Sequence, residues 1–166
     1  GIPTTASYIL VAVVAAPALV AVGIPLLAAH LFILYFTMIA AVTPPIGVAA
    51  LVASRLADAS YIPTALIATR LALPGFIIPF MFAISPTLLL DGAIFEIAIN
   101  CATAVLGVFA FVVAFEGYLV RRVSIIGRIL FAASGLPLLY PGYLESLAGV
   151  IVFAIALVPQ LRHVSK

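Results

Sequence analysis

Between Ala93 and Leu119 the chain carries only two charged side chains, Glu96 and Glu116. A helix needs about 20 largely apolar residues to cross a hydrocarbon core about 30 Å thick, so this stretch is long enough to span a bilayer. Comparable apolar runs cover Ala6–Val22, Ala28–Ser54 and Leu73–Leu90, and two shorter ones, Ile129–Leu139 and Leu147–Val158, follow. A soluble globule has no place for so much apolar surface. Only 7% of the 166 residues are charged and 67% are apolar, against roughly 25% charged in ordinary soluble domains. A mean hydropathy of +1.43 agrees. Transmembrane β-barrels show short alternating segments, whereas these runs are long and continuous. The chain therefore reads as an all-α polytopic membrane protein.

Composition excludes several other classes. A formal net charge of +2, with its charges scattered, gives no footprint for nucleic acid. The single Cys101 offers neither an internal disulfide nor a multi-cysteine metal site. There is no HExxH, no paired intramembrane Asp and no Ser-His arrangement of recognisable spacing, which argues against an intramembrane enzyme. No basic segment opens the chain and no Met precedes Gly1, so an N-terminal part is expected to be missing.

Prolines interrupt the runs. Thr43-Pro44-Pro45-Ile46-Gly47 lies inside the 28–54 run, and two successive prolines remove two backbone donors and clash with the preceding turn. This element is expected to be two half-helices with an unwound joint. The opening Gly1-Ile-Pro-Thr-Thr5, followed by a run containing Pro17, suggests the descending limb of a re-entrant hairpin whose unwound tip is Gly1–Thr5. Ser60–Ala72 reads as a short linking helix near the surface, with Ser60 as its cap, and 73–90 as a span kinked at Pro74, Pro79 and Pro86. If each central element crosses once and the two tail runs cross out and back, all seven basic residues share one face. The positive-inside rule makes that face cytoplasmic.

Two backbone breaks at similar depth are the main chemical signal. Irregular backbone inside a bilayer is tolerated only where protein or a water-filled cavity covers it. Unwound segments expose carbonyl oxygens, and Thr4, Thr5 and Thr43 add hydroxyls, a neutral oxygen set that suits a hard cation such as Na⁺. Half-helix N-termini suit anionic groups. Many secondary transporters build midplane sites from such parts. The plainer alternative is that Pro44-Pro45 is a kink packed by neighbours.

The ordered set Gly1-Ile-Pro-Thr-Thr-Ala-Ser-Tyr-Ile-Leu10, Ala16-Pro-Ala-Leu19, His30-Leu-Phe32, Thr43-Pro-Pro-Ile-Gly-Val-Ala49, Ala68-Thr-Arg-Leu-Ala-Leu-Pro-Gly-Phe-Ile-Ile-Pro-Phe80 and Pro86-Thr-Leu-Leu-Leu90 resembles the C-terminal half of the TRAP transporter large membrane subunit. It is most similar to the fused permeases of the TAXI type. The resemblance is strong over 1–90. It implies the C-terminal inverted-repeat half of an elevator-type transporter, divided into a hairpin limb (1–24), a broken helix (28–54), a linker helix (60–72) and a kinked span (73–90). Residues 91–166 look like the additional membrane region some fused members carry.

The resemblance further implies Na⁺-coupled import of small organic anions such as carboxylates across a bacterial or archaeal inner membrane, with no other cofactor. Its expected partners are a periplasmic substrate-binding protein, the remaining N-terminal permease region, and a small membrane subunit or its fused equivalent. The Na⁺ and substrate-proximal site would draw on Gly1, Thr4, Thr5, Thr43, Pro44 and Gly47. This part alone is not expected to transport. The alternative function is a non-transporting membrane scaffold or assembly subunit.

The other polar residues admit bland readings. Glu96 and Asn100 are spaced i, i+4 and share a helix face, so they are either an intramembrane functional pair or an interfacial one. Glu116 fits a headgroup-level ion pair with Arg121 or Arg122. Arg70 fits lipid phosphate or Asp58, and His30 fits either a pH-sensitive gate or a histidine with one hydrogen bond. Phe76, Phe80 and Phe82 read as lipid-facing or packing residues.

Overall fold

A computed structural model describes residues 4–161. The chain divides into two compact units, Gly1–Ala83 and Ile84–Lys166. Among the described residues the structure is helical, apart from turns and one isolated bridge between Tyr118 and Arg122. Gly1, Arg162, His163 and Lys166 lie outside the described residues.

In the first unit, α1 (Thr4–Ala21) and α2 (Leu26–Ile39) form an antiparallel hairpin. The turn between them follows from Gly23, which adopts φ +95. Its N–H bonds to Val20 O and the Ile24 N–H bonds back to Leu19 O, which closes the helix C-terminus. Pro25 then precedes the first turn of α2. Ala12, Ala16 and Ile33 fill the hairpin core with Tyr8 and Leu19 against them. Small residues at such a crossing let the two backbones approach, which replaces the hydrophobic drive that lipid does not supply. The Tyr8 hydroxyl and His30 Nδ1, 2.8 Å apart, add a bond across the hairpin, so His30 is a histidine with a hydrogen-bond partner.

One expectation for α1 changes. The helix includes Thr4 and Thr5, so these residues form its first turn and are not unwound backbone. It also continues through Pro17. Proline removes only one intrahelical bond, and membrane helices tolerate that loss.

The expected break in the second element is present. α2 ends at Ile39 and α3 (Val48–Leu56) begins after a joint of turns over 40–47. α4 (Tyr61–Ala72) follows, and a 3-10 turn at Leu73–Phe76 joins it to α5 (Ile78–Ile84). The regions read separately as linker and kinked span thus form one apolar segment, Tyr61–Ile84, of spanning length. Ser60 precedes α4 without a side-chain cap bond; its carbonyl accepts from the Thr64 N–H and hydroxyl. The aromatic residues of this segment are packing groups facing α2. Phe80 meets Phe32 edge-on at 5.0 Å, Phe76 meets Phe36 at 5.9 Å, and Phe82 meets Tyr35 at 5.8 Å between ring centroids.

The second unit contains a 3-10 turn (Pro86–Leu89) and helices α6 (Ile94–Glu116), α7 (Ile125–Leu139) and α8 (Tyr143–Leu161). α7 packs closely on both α6 and α8, and α6 and α8 meet through side chains such as Phe109 and Phe153, 6.3 Å apart between ring centroids. Glycine makes the close crossings possible. A Cβ on Gly135 would sit 2.5 Å from the Phe111 ring, and one on Gly149 would sit 2.6 Å from Leu138. The tail helices are longer than the apolar runs suggested. Polar Ser124 caps α7 five residues before its apolar run, accepting from the Gly127 N–H at 3.2 Å. Polar Glu145 and Ser146 are absorbed into the first turns of α8, which thereby reaches spanning length.

Candidate functional site: the broken helix and its cleft

The joint between α2 and α3 is held by its own backbone and by α4. Helix α2 tightens as it ends, with Ala41 N–H bonded to Met38 O and Val42 N–H to Ile39 O. Pro44 and Pro45 supply no donors, so the chain re-forms bonds around them. Gly47 N–H reaches Thr43 O at 2.9 Å, and Ala49 N–H reaches across the joint to Ala41 O at 2.9 Å. Gly47 caps α3 with φ +35 and ψ 47, a left-handed conformation costly for a residue with a Cβ. A Cβ there would also lie 2.8 Å from the Tyr61 hydroxyl.

Helix α4 completes the joint. Tyr61 donates to Pro45 O at 3.0 Å, and the Thr69 hydroxyl lies 3.4 Å from Val42 O and 2.8 Å from Ala65 O. The Thr43 hydroxyl donates to Ile39 O at 2.8 Å. Its proton is therefore spent on backbone, and its oxygen lone pairs remain as acceptors. The carbonyls of Ala41, Val42, Thr43 and Pro45 each accept one bond from protein and keep a second lone pair.

A cleft of about 1010 Å³ opens on the other side of the joint, walled by α1, α2 and the start of α3. Its walls are mainly apolar, with Thr4, Ser7 and Thr37 as the polar side chains and Ala40, Ala41 and Ile46 from the joint itself. The beginnings of α1 and α3 both border it, through Thr4 and Val48. The N-terminal ends of two helices, which carry partial positive charge, thus meet one cavity.

Of the residues singled out from sequence, Thr4 lines this cleft. Thr5 is exposed and is not among the lining residues. Thr43 and Pro44 are half-buried and Gly47 is buried in the joint, none of them in the cleft wall. Ser7, Thr37, Tyr61 and Thr69 complete the polar surroundings and were not singled out. Tyr61 and Thr69 sit 16 and 27 residues beyond the joint positions they contact, a distance that sequence periodicity does not bridge. Among the described residues there is no group of three or more His, Cys, Asp or Glu side chains that could hold a metal ion. The donors around the joint are hydroxyl and carbonyl oxygens.

In the second unit, the Glu96 and Asn100 face borders a small cavity of about 210 Å³ with Thr87. Asn100 Nδ2 donates to Thr87 Oγ1 at 2.8 Å, and Ser85 and Thr87 hydroxyls are also 2.8 Å apart.

Apolar helices of spanning length, one of the shorter ones broken beside a large cleft, are the architecture of a polytopic α-helical membrane protein. Residues 1–97, more than half of the chain, match the family model of the tripartite ATP-independent periplasmic transporter, DctM component. The chain belongs to this family, the large component of TRAP transporters, and is thus part of a membrane-embedded transporter that works with other subunits. No curated protein and no solved structure matches it.

Proposed function

We propose that the chain supplies the second inverted repeat of a Na⁺-coupled, binding-protein-dependent importer of small organic anions, of the fused TAXI type. In this reading it acts with a first repeat from the remaining N-terminal permease region, with a small membrane subunit or its fused equivalent, and with a periplasmic substrate-binding protein in the inner membrane. The observation that carries the reading is the convergence on one cleft of the N-terminal ends of α1 and α3 with the unwound 40–47 joint. Helix N-termini favour the carboxylate of a substrate, and neutral oxygens of the joint favour a hard monovalent cation.

Thr43 is the side chain assigned to the cation. Its hydroxyl proton is committed to Ile39 O, which leaves its oxygen lone pairs as acceptors. Pro44 and Gly47 contribute backbone around it, and Thr4 and Thr5 contribute the first turn of α1; Gly1 keeps its assignment from the family resemblance. Elevator movement would carry this cleft between the two membrane faces.

The reading is tested by reconstituting the complete permease in proteoliposomes and imposing an inward Na⁺ gradient with binding protein outside. Uptake of an organic anion that collapses when Na⁺ is replaced by K⁺ supports it. Uptake unaffected by that replacement removes Na⁺ as the coupling ion.

A further inference from the structure

The end of the second unit where α6 and α8 terminate and α7 begins holds a pocket of about 290 Å³ that the transport reading does not use. Arg121 and Arg122 border it from the connecting loop, Ser124 and Gly127 from the start of α7, and Pro159 and Gln160 from the end of α8. Arg121 is fixed in place by an Nη2 bond to Pro159 O at 2.5 Å. Its Nε is buried and has no acceptor among the described residues. Gln160 is only 4% exposed, and its Oε1 likewise has no partner among the described residues. A buried donor and a buried acceptor left unpaired at one pocket are unusual, because folded chains satisfy nearly all such groups.

We propose that this pocket binds the headgroup of an anionic phospholipid, a phosphodiester bearing a free hydroxyl. The donors match a phosphate: Arg121 Nε, the Arg122 guanidinium and the Ile126 N–H in the first turn of α7, whose dipole adds to the attraction. The unpaired Gln160 Oε1 needs a donor, which an ionised phosphodiester lacks and a headgroup hydroxyl supplies. The location fits a lipid: two helices of spanning length end here, and Ile126 and Ile129 on α7 are 69% and 62% exposed, leaving an apolar flank for acyl chains. Basic pockets between membrane helices are a general means of holding anionic headgroups.

Native mass spectrometry of the complete permease in detergent tests this with phosphatidylglycerol, phosphatidylmethanol (the same diester without hydroxyls), phosphatidylcholine and inorganic phosphate. Phosphatidylglycerol is expected to be retained over phosphatidylcholine, and Arg122→Gln, at an exposed loop position, to weaken its retention roughly fivefold. Arg121→Lys keeps the charge but removes Nε and is expected to weaken it as well. Gln160→Leu should erase the preference for phosphatidylglycerol over phosphatidylmethanol. Equal retention of phosphatidylcholine and phosphatidylglycerol, or retention that Arg122→Gln leaves unchanged, overturns the proposal. Displacement of the lipid by millimolar inorganic phosphate assigns the pocket to a free anion and also overturns it.

Discussion

The Tyr61 hydroxyl donates to the Pro45 carbonyl at 3.0 Å, tying the first turn of α4 to the unwound joint between α2 and α3. The two prolines that break the helix leave carbonyls without intrahelical donors. Part of the replacement comes from a side chain 16 residues further along the chain. Tyr61→Phe removes that donor while keeping the ring. It is expected to lower stability by about 1 kcal/mol and to speed amide hydrogen exchange over the 40–49 segment, with exchange in α6 unchanged.

Gly47 is constrained twice, by its left-handed backbone and by the Tyr61 hydroxyl 2.8 Å from where a Cβ would stand. Gly47→Ala should therefore cost about 1–2 kcal/mol from conformation alone, with the contact added to it. Combining it with Tyr61→Phe separates the two: thermal unfolding should recover only part of the loss, because the φ strain stays. Full recovery would show that the contact alone constrains Gly47.

Gly135 lets α7 approach α6, with the Phe111 ring 2.5 Å from a would-be Cβ. Gly135→Ala should destabilise the second unit by about 1–3 kcal/mol through overpacking. Phe111→Leu, which trims the opposing ring, is expected to suppress much of that effect in a double-mutant cycle measured by unfolding in detergent.

Arg128 closes the C-terminus of α6. Its Nε donates to Ala114 O at 2.6 Å and its Nη2 to Phe115 O at 3.1 Å, beneath Gly117 at φ +68. Charged donors on helix-terminal carbonyls contribute about 1.5–3 kcal/mol, so Arg128→Gln should lower the unfolding temperature clearly. Arg128→Lys should rescue little, since an ammonium lacks the planar fork that reaches two carbonyls at once.

The chain's sequence shows some of these features far better than others. Pro44-Pro45 marks the broken helix because two missing donors have no helical solution, and the long apolar runs mark the spans because lipid demands internal hydrogen bonding. The Gly1–Thr5 opening and Pro17 suggest an unwound hairpin tip, yet α1 begins at Thr4 and includes both threonines, because nothing in the Thr-Thr-Ala-Ser stretch forbids helix. Counting apolar residues undersized α7 and α8, because Arg128 lies inside α7 and Glu145 lies in the first turn of α8, where an acidic residue is favourable. The cleft was only half legible. Its unwound edge follows from the prolines, whereas Ser7 and Thr37 join it through the antiparallel pairing of α1 and α2.

The central claim is that the unwound joint binds the coupling cation through Thr43. The most direct measurement is the Na⁺ dependence of substrate uptake by the complete permease, reconstituted with its binding protein, for wild type and Thr43→Ala. The account predicts that half-maximal uptake moves to a roughly tenfold higher Na⁺ concentration, the loss expected for about 1.4 kcal/mol of cation binding. An unchanged Na⁺ dependence and maximal rate in Thr43→Ala would contradict it.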